Sequence, residues 1–482
     1  MSAVSTIELS HYINGEWVRG KAGLDSLNPS DTRDIVARAP SDEGAAMNDA
    51  VQAAKAALPA WAGASPEVRS DVLDKVGSTL LARKEELGRL LSREEGKTLP
   101  EGIGEVARAG RIFKFFAGEA LRRHGVTVDS TRPGIDVATY REPLGVVGLI
   151  TPWNFPIAIP AWKSAPALAF GNTVVMKPAS LTPAIAFALT QIIHESGAPK
   201  GVFNLVIGSG ASGNVLALHP DVAAISFTGS QSVGARVATA AMSHQARVQL
   251  EMGGKNPLVV LDDCDLDRAV QCALDGAFFA TGQRCTASSR IIITEGIHDR
   301  FVSALAAKVS ALRVGDALAP ETQMGPLASE SQLRTTLEYL QIATKEGGRR
   351  VTGGEQLSLD KPGYYVSPVL IADTKPDMRV NCEEVFGPLA STVRVRDYDE
   401  ALAVANAGEF GLSAGICTSS LKYARHFTRN VRAGMVMTNL PTAGVDYHVP
   451  FGGTRKSSYG AREQGFAAVE FYTQIKTSYS WA

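Results

Sequence analysis

The segment LGVVGLITPWNFP, residues 144–156, decides how this chain folds. It joins an uninterrupted apolar run to a turn that contains two prolines. Continuous apolar runs are typical of strands covered on both faces, whereas half-exposed strands alternate. Similar runs follow at TVVM (173–176), VFNLVI (202–207), AAISF (223–227) and PLVVL (257–261). Helix-length segments separate these runs, so the sequence predicts a parallel, doubly wound α/β sheet.

Other elements surround this predicted sheet. Ser65-Pro66 is a good helix start, and apolar residues then recur at spacings of three and four, which predicts the buried face of one or two helices. These residues are Val68, Val72, Leu73, Val76, Leu80, Leu87, Leu90 and Leu91. A second α/β region is expected from Ile291 to about residue 450. GIDVATYRE (134–142) and EFYTQIKTSYSW (470–481) alternate like edge strands, which are prone to pair with another subunit.

Composition excludes several classes of protein. The 482 residues include 48 basic and 49 acidic ones, a net charge of −1, which argues against nucleic-acid or anionic-membrane partners. No apolar run approaches the ~18 residues of a membrane helix, and the first residues do not resemble a secretory signal, so a cytoplasmic location is expected. The 5 cysteines contain no C-x-x-C pair, and the histidines show no metal-binding spacing. Neither a disulfide framework nor a metal is expected.

Several glycine-rich turns are candidate nucleotide sites. Residues 208–213 match G-x-G-x-x-G, but the acidic residue expected about 20 positions later is missing, so a tight turn is the competing interpretation. FTGSQSVG (227–234) places a glycine where a strand is expected to pass into a helix, and exposed amides at a helix start favour phosphate. Lys177, directly after TVVM, would lie at the carboxyl edge of the sheet. Alone, each glycine-rich segment is also compatible with a structural turn instead of a nucleotide site, and Lys177 is also compatible with a solvated surface lysine.

Two residues are candidates for catalysis. Cys285 lies in TGQRCTASSR (281–290), where polar neighbours surround it and Arg284 is expected to favour the reactive thiolate. The alternative is a buried, inert thiol. Glu251 precedes two glycines in LEMGGKNP, and burial there would raise the pKa of its carboxyl toward that of a useful base. A solvated surface glutamate is the alternative.

Taken together, the motifs resemble those of the aldehyde dehydrogenase superfamily. They occur in the family's order and cover nearly the whole chain: ITPWNFP (150–156), MKPAS (176–180), FTGSQSVG (227–234), LEMGGKNP (250–257), TGQRCTA (281–287), EEVFGP (383–388) and PFGGTRKSSYGAREQG (450–465). The resemblance implies two doubly wound α/β domains plus a small β oligomerisation hairpin. It implies a NAD(P)-binding domain of residues 1–122 and 143–252, a catalytic domain of 253–450, and oligomerisation strands within 123–142 and 466–482. A homodimer or homotetramer is expected.

The same resemblance implies catalytic roles. Cys285 would attack the aldehyde to form a thiohemiacetal, and hydride transfer would leave a thioester. The Asn154 amide and the backbone N–H of Cys285 would stabilise the oxyanion. Glu251 would activate the water that hydrolyses the thioester, which favours an acid product over transfer to coenzyme A. A non-catalytic structural relative would be expected to have lost one of these side chains.

Cofactor residues are also implied. They are Thr151, Pro152, Trp153, Lys177, Ala179, Ser180, Gly210, Phe227, Gly229, Ser230, Val233, Met252, Gly253, Glu384 and Phe386. Ser180 departs from the pattern, because NAD-preferring relatives often carry glutamate there. Serine does not repel a 2′-phosphate and has a hydroxyl to donate, so NADP is expected to be accepted beside NAD and even preferred.

The substrate implied is a small aldehyde with an anionic tail. Phe155, Trp162 and Phe451 match positions of the family's substrate tunnel, and Arg284 matches an anion-binding position, with a structural hydrogen-bond donor as its alternative. LEMGGKNP, GQRCTA and NLPTAGVDYHVPFGG (439–453) most resemble the members that oxidise 2-oxoglutarate semialdehyde. Succinate semialdehyde and a broad range of aliphatic aldehydes are the alternatives.

Overall fold

The computed structural model describes residues 6–122 and 125–481. Its strands, β1 to β21 in chain order, are Ile7–Glu8, His11–Ile13, Glu16–Val18, Lys21–Asn28, Asp31–Ser41, Thr127–Asp129, Ile135–Pro143, Val146–Ile150, Thr173–Lys177, Phe203–Leu205, Val222–Thr228, Arg247–Glu251, Pro257–Val260, Arg290–Thr294, Arg349–Thr352, Val369–Ala372, Leu389–Val395, Ser413–Cys417, Met435–Thr438, Ser458–Tyr459 and Thr473–Trp481.

The helices, α1 to α15, are Ala45–Ala62, Pro66–Ala82, Lys84–Glu95, Leu99–Ala120, Ala158–Ala169, Pro183–Glu195, Gly210–Leu218, Gln231–Met242, Leu266–Phe278, Glu295–Ser310, Glu330–Lys345, Arg379–Cys382, Tyr398–Asn406, Leu421–Asn430 and Val469–Tyr472. Short 3₁₀ helices lie at Phe279–Gly282, Arg455–Ser457 and Gly465–Ala468. None of the helices in the described part of the chain is both long and apolar enough to cross a bilayer.

The first large sheet contains the strand predicted from the opening segment. Its order is β20-β12-β11-β8-β9-β10-β2-β3, and the strands from β12 to β10 run parallel. Val147 and Leu149 of β8 pack into one apolar cluster, whereas Val146 and Ile150 pack into another. The strand is therefore covered on both faces, as its unbroken apolar run predicts.

The second large sheet has the order β15-β16-β17-β14-β13-β18-β19, and all its pairs are parallel except β15 with β16. Leu258 and Val260 of β13 pack on one side, and Val259 packs on the other. Both sheets are thus doubly wound, and the expected α/β class is confirmed.

Two smaller sheets complete the structure. The predicted stray strands pair with each other, because β7 and β21 run antiparallel along their whole length and β6 joins β7. A sheet of β1, β5 and β4 was not predicted. Helix α2 begins where the sequence indicates, with the Ser65 hydroxyl accepting from the N–H of Val68. Val68 itself is 46% exposed, contrary to the predicted buried face, because the whole first turn of α2 lies at the surface.

Candidate active site

The candidate site lies where the strand order of the first sheet reverses. The chain starts this parallel sheet at β8, proceeds to β9 and β10, and returns to β11 on the other side of β8. Open α/β sheets bind ligands at the carboxyl ends of strands beside such a reversal. The turns after β8, β11 and β12 meet there and line a cavity of about 180 Å³, together with residues from the second sheet's side of the molecule. Its lining comprises Pro152, Trp153, Asn154, Ile159, Thr228, Gly229, Ser230, Met252, Gly253, Cys285, Gln332, Glu384 and Phe386.

Cys285 reaches this cavity from a loop with unusual backbone geometry. The 3₁₀ helix before it holds Ala280, Thr281 and Gly282 at φ values of 48°, 54° and 66°. A Cβ on Gly282 would overlap the backbone of Gly387, so the residue there has to be glycine. The Asn256 side chain then donates to the carbonyl oxygens of Cys285 and Ala287, at 2.7 and 3.0 Å. These contacts set the direction in which the thiol points.

Asn154 is held from both sides. Its Nδ2 donates to the Gln283 carbonyl at 2.9 Å, two residues before the cysteine. The backbone carbonyl of Asn154 accepts from Lys97 Nζ at 2.7 Å, and Lys97 forms an ion pair with Glu105 at 2.6 Å. Neither residue of this buried pair was predicted from the sequence. The charged segment REEGKT (93–98) inside an apolar helical pattern was the available signal.

The Cys285 thiol is protonated at neutral pH in this structure. Burial is the main cause, and the negative charges of Glu384 and Glu251 act in the same direction, raising the pKa of Cys285 to about 12. Arg284 and the Cys285 thiolate attract each other, as expected, but burial outweighs this attraction. Arg284 does not line the cavity, because its guanidinium donates to the carbonyls of Asp275 and Gly276 near the end of α9. This geometry favours the structural alternative for Arg284.

Glu251 ends β12 and is buried. Ser458 donates to its Oε2 at 2.6 Å, and a Cβ on Gly452 would come within 2.8 Å of its Oε1. Burial raises the pKa of Glu251 well above its ordinary value, and the charge of Glu463 raises it further. The Ser458 hydrogen bond and the cation of Lys163 oppose this rise. Glu251 thus holds a proton more readily than an exposed glutamate, as expected for a base.

A buried polar network lies behind Glu251. Lys163 forms an ion pair with Glu463 and donates to Ser226 Oγ at 2.8 Å, and Ser226 donates to Gln249 at 2.9 Å. Sequence analysis did not find this network. The one charged residue in the apolar helix IAIPAWKSAPALAF (157–170) was a usable signal, but its acidic partner lies 300 residues away along the chain.

Residues expected to bind the nicotinamide side of a cofactor meet at this cavity. Glu384 Oε1 accepts from the N–H of Gly254 at 2.8 Å, and burial raises the pKa of Glu384 to about 7. A Cβ on Gly253 would overlap this carboxylate. Phe386 packs edge-on against Trp153, with ring centroids 5.4 Å apart. In this cavity the buried Oε1 of Gln332 has no hydrogen-bond partner among the described residues, so it is free to accept from a ligand. The sequence analysis did not identify Gln332.

The predicted adenosine side lies outside this cavity. Lys177 ends β9, and its Nζ donates to the Pro178 carbonyl at 2.8 Å. Burial lowers the pKa of Lys177 to about 8. The Ser180 hydroxyl donates to the Gly208 carbonyl at 3.1 Å, so the G-x-G-x-x-G segment forms the turn beside these two residues. Gly210 begins α7, and a Cβ there would meet nothing within 4 Å. That open space is compatible with a ligand above the helix.

The other predicted residues take these positions. Thr151 is buried directly after β8, Phe227 lies within β11, Val233 packs from α8 onto the sheet, and Ala179 is half-buried beside Ser180. None of these four lines the cavity.

The predicted substrate rings form a separate wall. Trp162 and Phe451 lie 5.4 Å apart between ring centroids, Phe451 packs in the same apolar cluster as Cys285, and Lys97 Nζ lies 4.1 Å from the centre of the Phe155 ring.

The pKa of Cys285 supplies a test of this geometry. In Glu384→Gln, one of the charges that disfavours the thiolate is removed, so the pKa of Cys285 falls. A pKa lower by about one raises the thiolate fraction about tenfold at any pH well below it. We expect alkylation of Cys285 by iodoacetamide at pH 8 to accelerate by about that factor.

Two controls make the alkylation experiment specific. Cys285→Ser reports background alkylation of other thiols, of which Cys382 is exposed. Glu383→Gln removes the neighbouring carboxylate, which is paired with Arg379 and is not among the main causes of the raised pKa of Cys285. Equal alkylation rates in wild type and Glu384→Gln would show that the carboxylate does not act on the thiol.

Comparison with known proteins agrees with this geometry. The model of the aldehyde dehydrogenase family matches residues 17–478. The chain is 43% identical over 472 residues to alpha-ketoglutaric semialdehyde dehydrogenase of Bacillus subtilis (strain 168), covering 97% of both chains. It is 38% identical over 470 residues to 2,5-dioxopentanoate dehydrogenase of Saccharolobus solfataricus, covering 96% of this chain and 98% of that one.

A solved structure shows the same fold. The crystal structure of betaine aldehyde dehydrogenase from Staphylococcus aureus in complex with NAD+ superposes with a TM-score of 0.96 at 31% identity, covering 98% of this chain and 95% of that chain. A family match over almost the whole length, a relative at 43% identity and this shared fold lead to one conclusion. The chain belongs to the aldehyde dehydrogenase family.

Proposed function

We propose that this aldehyde dehydrogenase oxidises 2-oxoglutarate semialdehyde to 2-oxoglutarate through a covalent intermediate on Cys285. The observation that carries the chemistry is the meeting of Cys285, Asn154 and Glu384 at one cavity, beside the buried Glu251. The substrate is proposed from the names of the relatives at 43% and 38% identity. Betaine aldehyde dehydrogenases are also similar to this chain, at 39% identity, so betaine aldehyde is the substrate to compare with 2-oxoglutarate semialdehyde.

In the first step, the Cys285 thiol loses its proton to solvent, the sulfur bonds to the aldehyde carbon, and the electron pair of the C=O π bond moves to the oxygen, which becomes negative. An asparagine amide has two N–H donors. Asn154 uses one of them on the Gln283 carbonyl, which fixes the orientation of the amide and leaves the other for the oxyanion. The backbone N–H of Cys285 is the second donor. Donors fixed before the reaction stabilise developing charge most effectively.

The cofactor residues would hold a nicotinamide dinucleotide against this thiohemiacetal. When bound, the dinucleotide would supply the acceptor for the hydride of the former aldehyde carbon, and a thioester would remain on Cys285. Glu384 and Gln332 present oxygen acceptors to ribose hydroxyls, and the Trp153–Phe386 pair forms an apolar wall. Ser230 offers its backbone N–H at the start of α8 for the pyrophosphate, whereas the N–H of Gly229 donates to the Glu251 carbonyl at 3.0 Å.

Glu251 completes the reaction by taking a proton from water as the water oxygen bonds to the thioester carbon. The carbon–sulfur bond then breaks, and the acid is released. A carboxyl with a raised pKa is a stronger base once it has lost its proton, which suits this step near neutral pH. The buried Lys163–Glu463 pair tunes that pKa through charge.

NADP acceptance rests on Ser180 and Lys177. Neither residue places a carboxylate near the adenosine ribose, and burial makes the Lys177 charge costly until an anion compensates for it. Both properties favour a 2′-phosphate. NAD+ is the cofactor in the S. aureus structure, so we propose that this chain accepts both cofactors.

Assembly into a homodimer or homotetramer is proposed through β21. This strand is the edge of its sheet, and it exposes Ile475, Tyr479 and Trp481 to 60%, 61% and 83%. Unpaired strand edges with apolar side chains favour pairing with another chain.

The domain division also stays a proposal, because β20 from beyond residue 450 joins the first sheet and residues 1–5, 123, 124 and 482 lie outside the described residues.

The substrate is tested with a panel of aldehydes. We expect kcat/KM to be highest for 2-oxoglutarate semialdehyde, lower for succinate semialdehyde and pentanal, and lowest for betaine aldehyde. Reduction of the cofactor is measured at 340 nm, and Cys285→Ser is expected to abolish it. A preference for betaine aldehyde or for neutral aldehydes would overturn the proposed substrate, and activity in Cys285→Ser would overturn the mechanism.

The role of Glu251 is tested by shifting its pKa in both directions. Ser458→Ala removes the hydrogen bond that lowers the pKa, so the acid limb of the kcat–pH profile moves to higher pH. Glu463→Gln removes a negative neighbour and leaves Lys163, so the pKa falls and the acid limb moves to lower pH. Thermal melts show whether each variant is folded. Shifts in the same direction would contradict a carboxylate base at this position.

Cofactor choice is tested by Ser180→Glu. The new carboxylate repels a 2′-phosphate and accepts from a 2′-hydroxyl, so kcat/KM for NADP falls by about thirtyfold, equivalent to ~2 kcal/mol, while the value for NAD is maintained. Ser180→Ala is the matched neutral control. A wild-type enzyme with a strong NAD preference that neither Ser180→Ala nor added salt changes would refute the proposal.

A further inference from the structure

Arg108 is a charged residue that the chemistry above does not use. It lies in the middle of α4, and its guanidinium donates to the Val445 carbonyl and to Gln464 Oε1. Its Nε is buried without a hydrogen-bond partner among the described residues. Its Cζ lies 5.8 Å from the centre of the Trp162 ring. The cation therefore lies against Trp162, one of the three predicted substrate rings.

This wall leads to the nucleophile. The rings of Trp162 and Phe451 are 5.4 Å apart, and Phe451 packs in one apolar cluster with Cys285 and Val445. Neither Arg108 nor these rings line the 180 Å³ cavity that fits the nicotinamide. Arg108 is thus connected to Cys285 through the contacts of Trp162 and Phe451, apart from the residues that line the cofactor cavity.

The charge of Arg108 is not neutralised. Within the described residues it forms no ion pair, because Glu105 is committed to Lys97 and Asp446 is exposed and does not reach the guanidinium. Burial lowers the pKa of Arg108, and those two carboxylates only partly oppose the effect. An unpaired charge removed from water is unfavourable, and an arriving anion would offset that cost.

Arg284 and Arg290 also have a buried Nε without a partner among the described residues, and burial lowers the pKa of both. They differ from Arg108 in their acceptors: Arg284 donates to carbonyls near the C-terminal end of α9, and Arg290 donates to the Ala405 carbonyl near the end of α13. Such helix ends carry partial negative charge that stabilises a cation. The acceptors of Arg108, a loop carbonyl and a side-chain amide, provide no such dipole.

We propose that Arg108 binds the carboxylate of the substrate and so selects aldehydes with an anionic tail. The anion-binding role expected of Arg284 is thereby assigned to Arg108. This inference rests on the proposed function, because it presumes that the substrate carries a carboxylate. It also explains how a quaternary ammonium tail is excluded, because the Arg108 cation occupies the ring of Trp162 on which such a tail would form a cation–π contact.

The experiment compares 5-oxopentanoate with pentanal, two aldehydes of equal chain length that differ in the carboxylate. We expect wild type to prefer 5-oxopentanoate. Arg108→Met lowers kcat/KM for 5-oxopentanoate by about tenfold to a hundredfold, the range for one charge-assisted hydrogen bond, mainly through KM. In the same variant, kcat/KM for pentanal changes by less than about threefold. Arg108→Lys retains the charge and recovers part of the loss.

The matched control is Arg111→Met, on the exposed face of the same helix, which is expected to behave as wild type with both aldehydes. If Arg108→Met and Arg108→Lys reduce both substrates equally, Arg108 only fastens α4 to the 445–464 segment and the inference is wrong, while the proposed function stands on the wild-type preference. If wild type shows no preference for 5-oxopentanoate, the proposed function itself fails.

A second measurement does not depend on variant folding. In wild type, glutarate is expected to inhibit competitively against the aldehyde. Pentan-1-ol is expected to inhibit at least about tenfold more weakly than glutarate. Added salt weakens only the glutarate effect, because it screens the charge interaction. Equal inhibition by the two compounds would overturn the assignment of an anion site.

Discussion

The hydrogen bond from Asn154 Nδ2 to the Gln283 carbonyl, 2.9 Å long, joins two parts of the molecule that fold around separate sheets. Asn154 follows β8 of the first sheet, and Gln283 precedes the cysteine that leads into β14 of the second. Because Lys97 holds the carbonyl of Asn154 and Asn256 holds the carbonyl of Cys285, each partner is fixed independently. The proposed oxyanion site depends on this single junction, since a small displacement would separate the amide from the sulfur.

Burial dominates the electrostatics of the site. The pKa values of Cys285, Glu251 and Glu384 are all raised, and in each case removal from water is the largest cause. Burial thus favours the neutral form of each group, and the negative charges of Glu384 and Glu251 disfavour the Cys285 thiolate.

Much of the site was predictable because the residues concerned lie next to strand ends. Asn154, Gly229 and Glu251 follow or end apolar runs in the sequence, and the carboxyl ends of parallel strands meet at one edge. The residues that hold them were not predicted. Lys97, Lys163, Asn256 and Gln332 act through partners that are remote along the chain, and local composition does not reveal a remote partner. Val68 was wrongly predicted to be buried for a related reason. Periodicity identifies the apolar face of a helix, but it does not show at which residue the packing against that face ends.

The sequence by itself determined the class of the fold, the positions of the strand-end turns and, through family motifs, the candidate nucleophile and its candidate partners. These depend on short-range pattern: which residues are apolar, how they repeat, and where glycine and proline interrupt them. Only the tertiary structure decided that Arg284 turns to a helix end while Arg108 stands uncompensated beside Trp162. The neighbours along the chain do not reveal this difference, since Arg284 lies in GQRCTA and Arg108 lies in EVARAGR. Whether a charge is neutralised depends on what packs against it in three dimensions, and desolvation sets its free energy accordingly.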